Sequence, residues 1–137
     1  MNYSPLRYPG GKTKMLPIIK SMIEKSENCR TYIEPFAGGA GVALGLLFDK
    51  CVDNIVINDL DKSIYSIWRA ILTETDKLIQ LINNTPISIK EWHKQKEIYD
   101  KNNRKYSLEL GFAALYLNRT NHSGILKAGP IGGFSQN

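Results

Sequence analysis

No stretch of the 137-residue sequence approaches the ~18 consecutive apolar residues of a membrane helix, so a chain built on such spans is excluded. Cysteine is scarce. Cys29 and Cys51 lie far apart and outside any Cys-x-x-Cys, and they read as free thiols in a reducing compartment. Histidine is equally scarce. His122 has only His93 as a companion and no suitably spaced Cys or carboxylate, so no metal site is expected. Gly triplets and sustained heptads are missing, which excludes collagen and a coiled coil. The opening Met-Asn-Tyr-Ser-Pro-Leu-Arg carries no signal-peptide core, so the expected location is cytoplasmic. No internal repeat is found.

What is present suits one globular domain: 42% hydrophobic and 23% charged residues in a chain near the usual domain size. The net charge of +5 is unevenly spread. Residues 1–30 carry +4, residues 31–86 carry −3 and residues 87–137 carry +4. Basic flanks are compatible with a polyanionic partner, and equally with a solvated lysine-rich surface. The acidic middle suggests a different task there.

Met15, Ile18, Ile19, Met22 and Ile23 recur at helical spacing and predict a helix over about 13–26, with Pro17 near its first turn. Thr31–Glu34 and Ile55–Asn58 read as strands. Between them lie a glycine-rich loop, 35–41, and a helix, 42–48. Asp61 is a plausible N-cap for a helix carrying Ile64, Ile67, Trp68, Ile71 and Leu72 on one face. Shorter helices are predicted over 76–82, from the capping box Ser88-Ile-Lys-Glu91 to about Asp100, and over 107–118. Beyond that the chain reads as loop. Strand, loop, helix, strand is a βαβ unit, and the expected class is α/β. With only two strands and a glycine-rich tail, the chain reads as the N-terminal part of something longer.

Two glycine motifs carry the chemistry. Gly10-Gly11-Lys12-Thr13 resembles the end of a P-loop, but that motif needs a glycine where Leu6 stands and a strand before it. What survives is a lysine on a tight turn, able to bind a carboxylate or phosphate as a point charge, or simply exposed. Glu34-Pro-Phe-Ala-Gly-Gly-Ala-Gly41 joins a strand to a helix, where glycines let a backbone approach a ligand. The dinucleotide pattern G-x-G-x-x-G fails at Leu44 from one start and at Ala40 from the other, which disfavours a nicotinamide oxidoreductase. A plain βα turn is the alternative. Asp59 ends the second strand, where nucleoside sites place an acidic residue for the ribose hydroxyls. Asp61 is expected to cap, and Asp59 to bind.

In order along the chain, Leu6-Arg-Tyr-Pro-Gly-Gly-Lys12, Glu34 to Leu44, Ile57-Asn-Asp59 and Leu117-Asn-Arg-Thr-Asn-His-Ser-Gly124 resemble the N-terminal half of the Dam-like DNA adenine-N6 methyltransferases. The likeness runs from about residue 4 to 133. It implies an incomplete Rossmann-like S-adenosylmethionine-dependent sheet, with a helical insertion beginning the target-recognition region. It departs at Ala40, where the family's Phe-x-Gly-x-Gly loop has its last glycine. It departs further in lacking the catalytic Asp-Pro-Pro-Tyr, since no two of the six prolines are adjacent.

The resemblance implies a cofactor-binding part over 1–86 and a truncated DNA-binding part over 87–137. S-adenosylmethionine would be held by Tyr8, Lys12, Phe36, Gly38, Gly39, Asp59 and Leu60. Lys12 would bind the methionine carboxylate, Asp59 the ribose, and Leu60 the adenine face. Arg119, Asn121, His122 and Ser123 would touch double-stranded DNA. No catalytic residue lies in the chain. A cognate restriction endonuclease is a conceivable further partner, and no membrane is expected. The alternative to a methyltransferase fragment is an inactive nucleic-acid-binding remnant of one.

Overall fold

A computed structural model describes residues 3–26, 28–101 and 105–136. These form two compact units, Met1–Asp59 and Leu60–Asn137. The division expected between residues 86 and 87 falls inside the second unit.

In the first unit a 3-10 turn, Lys12–Met15, leads into α1, Leu16–Glu24, with Pro17 in its first turn. There the missing N–H of proline costs no helical hydrogen bond. Strand β1, Thr31–Glu34, pairs in parallel with β2, Asn54–Ile57, and α2, Gly41–Phe48, connects them. The register sets Tyr32 beside Ile55, Ile33 beside Val56 and Glu34 beside Ile57. Side chains alternate across a strand, so Tyr32 and Ile55 share one face. That face packs on Val42, Leu46 and Val52, together with Leu16, Ile19 and Ile23. Ile33 and Val56 occupy the opposite face and are exposed. The expected α/β class and parallel βαβ unit are present, with one face of the sheet covered within this unit.

In the second unit four helices enclose a core of Ala70, Leu78, Trp92, Phe112, Tyr116 and Leu117. They are α3, Lys62–Thr73; α4, Thr75–Asn84; α5, Ile89–Asp100; and α6, Leu108–Thr120. Side-chain caps fix three of their starts. Asp61 accepts from Ser63 N–H at 2.9 Å, Ser88 from Glu91 N–H at 3.1 Å and Ser107 from Leu110 N–H at 3.0 Å. Each such cap stabilises a helix by about 1 kcal/mol. The capping box at Ser88 is only half made. Ser88 N–H donates to the Tyr116 hydroxyl, while the Glu91 carboxylate meets Gln95 and Lys94.

Helix α6 is buried nearly all round, and Gly111 explains how. A Cβ there would lie 2.5 Å from the Ser66 carbonyl oxygen, so only glycine lets α3 come this close. On α3, Ile64, Ile67 and Trp68 are buried as expected, but Leu72 is 67% exposed. Ile71 reaches the core only partly, because the apolar stripe slips sideways as the helix ends. The segment after α6 is more ordered than a loop. Thr120 still belongs to the helix, a 3-10 turn spans His122–Gly124, and Asn121 bridges Pro130 antiparallel.

Candidate functional site

In the first unit the chemistry gathers at the C-terminal ends of β1 and β2. The parallel register brings Asn58 and Asp59 alongside the loop that follows Glu34. Asn58 N–H donates to the Glu34 carbonyl at 3.1 Å, and Ala37 N–H to the Asn58 carbonyl at 2.8 Å. The Asn58 amide reaches the Pro35 carbonyl at 3.2 Å. Asp59 Oδ2 then accepts from Gly38 N–H at 2.7 Å. One strand end thus holds the glycine loop of the other.

The N-terminal segment covers this loop. Gly38 has φ +49°, and a Cβ there would lie 2.8 Å from the Tyr8 ring. At Gly39 the corresponding neighbour is Ser4 Oγ, 2.5 Å away. At Gly41 it is the Thr13 hydroxyl. The close approach at these glycines is therefore made by this chain's own Tyr8, Ser4 and Thr13. Phe36, in the same loop, is 71% exposed; Leu60, also expected to line the site, is the first residue of the second unit and is 80% exposed.

Lys12 sits 3.0 Å from Glu34 Oε1, and its ammonium also donates to the Phe36 carbonyl. Glu34 is buried at 3% exposure, and its Oε2 accepts from Ala43 N–H in the first turn of α2 at 3.2 Å. Its Oε1 lacks an aligned hydrogen bond, so the contact with Lys12 is an ion pair only. Sequence reasoning assigned Glu34 no role. The available signal was an acidic residue at a strand end directly before a glycine loop, where burial demands a cationic partner.

In the second unit Arg119 lies in the last turn of α6, where a cation interacts favourably with the helix dipole. It is exposed, as are His122 and Ser123. Arg119 also lines a cavity of about 450 Å³ with Ile87, Trp92, Tyr116, Pro130 and Ile131. Burial raises the Tyr116 hydroxyl above its ordinary pKa, and that hydroxyl donates to the Pro86 carbonyl. Asn121 is placed differently from the other three. It is 0% exposed, and its amide bonds Trp92 and the carbonyls of Ile125 and Leu126. It has no surface to offer a DNA strand, because the residue after a helix end is here turned inward to close the loop.

The sequence model of the D12 class N6 adenine-specific DNA methyltransferases matches residues 8–137. The chain belongs to that family. The D12 class chain is 28% identical over 144 aligned positions to the type II methyltransferase M.MjaIII of Methanocaldococcus jannaschii, covering 95% of this chain and 50% of that protein. It is 26% identical over 125 positions to the type II methyltransferase M1.LlaDCHI of Lactococcus lactis subsp. cremoris, covering 88% of this chain and 42% of that one. It is 34% identical over 90 positions to the modification methylase StsI of Streptococcus sanguinis, which takes in 65% of this chain and 12% of the relative. The D12 class chain thus spans about half the length, or less, of the curated relatives it matches. Among the described residues no helix is long and apolar enough to cross a membrane.

Proposed function

We propose that this chain is the cofactor-capturing and first DNA-facing part of a site-specific DNA adenine-N6 methyltransferase, with a Rossmann-like cofactor part over 1–86 and a recognition part over 87–137. The observation that carries the reading is the Gly38–Asp59 hydrogen bond, which fixes a carboxylate at the rim of a glycine loop. Donor chemistry fits S-adenosylmethionine. A cation at Lys12, a carboxylate at Asp59 and an exposed aromatic at Phe36 match an amino acid joined to a nucleoside.

Each residue has a physical task. Asp59 accepts the ribose hydroxyls, each charge-assisted bond contributing about 1.5–3 kcal/mol. Lys12 keeps its contact with the buried Glu34 and has an ammonium N–H left to offer the methionine carboxylate. Phe36 offers apolar surface to the flat purine. Gly38 and Gly39, shaped by Tyr8, present backbone rather than side chain. S-adenosylmethionine, when bound, supplies the electrophilic methyl group. The sequence holds no Asp-Pro-Pro-Tyr, so the group that would cradle the adenine amine is not among these residues.

Arg119, His122 and Ser123 suit phosphate and base edges of double-stranded DNA. An adenine must leave the helix before its amine can react, at a cost of a few kcal/mol of unstacking. Contacts of this kind offset that cost. A cytoplasmic location belongs to the same reading, supported by two cysteines that form no disulfide.

Calorimetric titration with S-adenosylmethionine and, separately, with NAD tests the proposal. Selective binding of the first, weakened about tenfold or more by Asp59→Ala, is expected. Equal binding of both, or an unchanged affinity in the variant, would overturn it.

A further inference from the structure

Two buried asparagines shape the segment that carries His122, Ser123 and Lys127. Asn118 is 1% exposed and donates to the Gly124 carbonyl at 2.9 Å. Asn121 donates to the Ile125 and Leu126 carbonyls at 3.0 and 3.2 Å. Three successive carbonyls, 124 to 126, are drawn toward the interior by side-chain amides. Chemistry fixes which way the Asn121 amide points. The Trp92 indole N–H can only donate, and it meets Oδ1 at 2.6 Å. The two carbonyls can only accept, and they meet Nδ2. Backbone bonds then pin the segment's ends, His122 N–H to the Gly129 carbonyl at 3.1 Å and Ile131 N–H to the Thr120 carbonyl at 2.9 Å.

Carbonyl oxygens carry the backbone's partial negative charge. A loop that turns them outward repels a phosphate. This one turns three of them inward, while Arg119, His122, Ser123 and Lys127 remain exposed. The indole is itself held, with Phe134 edge-on at 5.4 Å and stacked on His93 at 5.6 Å.

We propose that Asn121, oriented by the Trp92 indole N–H, is a positioning residue for DNA contact: it turns the carbonyls of the 124–126 segment inward, so that the loop meets the phosphodiester backbone with cationic and hydroxyl side chains. This rests on the DNA-facing reading above. Asn121 touches no DNA itself. It acts through the shape of the loop, and Trp92 acts through Asn121.

Trp92→Phe removes the N–H and keeps a ring in the core. The full chain and this variant are titrated with a short mixed-sequence DNA duplex by fluorescence anisotropy over a range of salt. The variant is expected to bind about tenfold more weakly, the equivalent of one lost hydrogen bond. Its plot of log K against log salt should be shallower by about one phosphate contact. Weaker binding with an unchanged slope would mean general loosening, and would overturn the positioning role. Equal binding would overturn it too.

A second measurement needs no variant. If the Trp92–Asn121 bond orders the loop for DNA, then by reciprocity DNA must stabilise the bond. Exchange of the Trp92 indole hydrogen, followed by NMR with Trp68 as the reference, should slow when the duplex is added. Unchanged exchange with DNA bound would sink the inference alone. If the unmutated chain does not bind the duplex, the DNA-facing reading falls and takes this inference with it.

Discussion

Gly38 donates its N–H to the Asp59 carboxylate at 2.7 Å, across the ends of two parallel strands. That bond converts a flexible glycine turn into a shaped rim. It also explains why the acidic residue sits at the strand end, where it can reach the loop, rather than at Asp61, whose carboxylate caps α3.

The left-handed positions on either side of this rim predict opposite responses to exchange. Gly38 has φ +49° with the Tyr8 ring against it, so Gly38→Ala adds both backbone strain and a clash. It should destabilise the chain by about 1–3 kcal/mol. Ala40 has φ +50° without being glycine. Ala40→Gly relieves about 1–2 kcal/mol of strain and gives back about 0.5–1 kcal/mol in unfolded-chain freedom, a net gain of about 0.5–1 kcal/mol. Urea denaturation reads both, and equal signs for the two variants would contradict the account.

The Lys12–Glu34 pair should respond asymmetrically. Glu34 is buried and Lys12 is 41% exposed at its side chain. Glu34→Gln keeps an acceptor for Ala43 N–H and leaves a lysine that water can reach, at a cost of about 1 kcal/mol or less. Lys12→Met strands a buried carboxylate and should cost more, about 1–3 kcal/mol. Thermal denaturation of both variants checks the order, which is the informative result.

Asp49 gives a signature in acid. A hydrogen bond from the Tyr3 hydroxyl, then one from Lys20, holds its carboxyl below the ordinary 3.8. A depressed folded pKa stabilises the fold above the unfolded value, and that contribution is lost as pH falls through the folded one. Carboxyl NMR should place the Asp49 midpoint below 3.8, and Tyr3→Phe should move it upward. A midpoint at or above 3.8 in the unmutated chain would show that these bonds do not form in solution.

Much of this was legible in local pattern. Both strands, the caps at Asp61 and Ser88, and the glycine loop follow from alternation, helical spacing and short polar signals that act within a few residues. What stayed hidden depends on partners distant in sequence. Asn121 looked like an exposed polar residue, but its fate is set by Trp92, 29 residues away. Lys12 looked like a free cation, but Glu34 lies 22 positions on and is buried beside it. Gly38 and Gly39 looked like room for a ligand, and the neighbours that crowd them come from residues 4 and 8. Ala40 shows the limit from the other side: its identity alone predicts no left-handed backbone, and only the turn's geometry imposes it.

The central claim is that the glycine loop and Asp59 form the rim of a cofactor site. Two-dimensional amide NMR of the labelled chain, titrated with S-adenosylmethionine, tests it most directly. The account predicts that the Gly38, Gly39 and Asp59 amides shift together and saturate at one affinity. Saturable binding that leaves those three amides unmoved would contradict it.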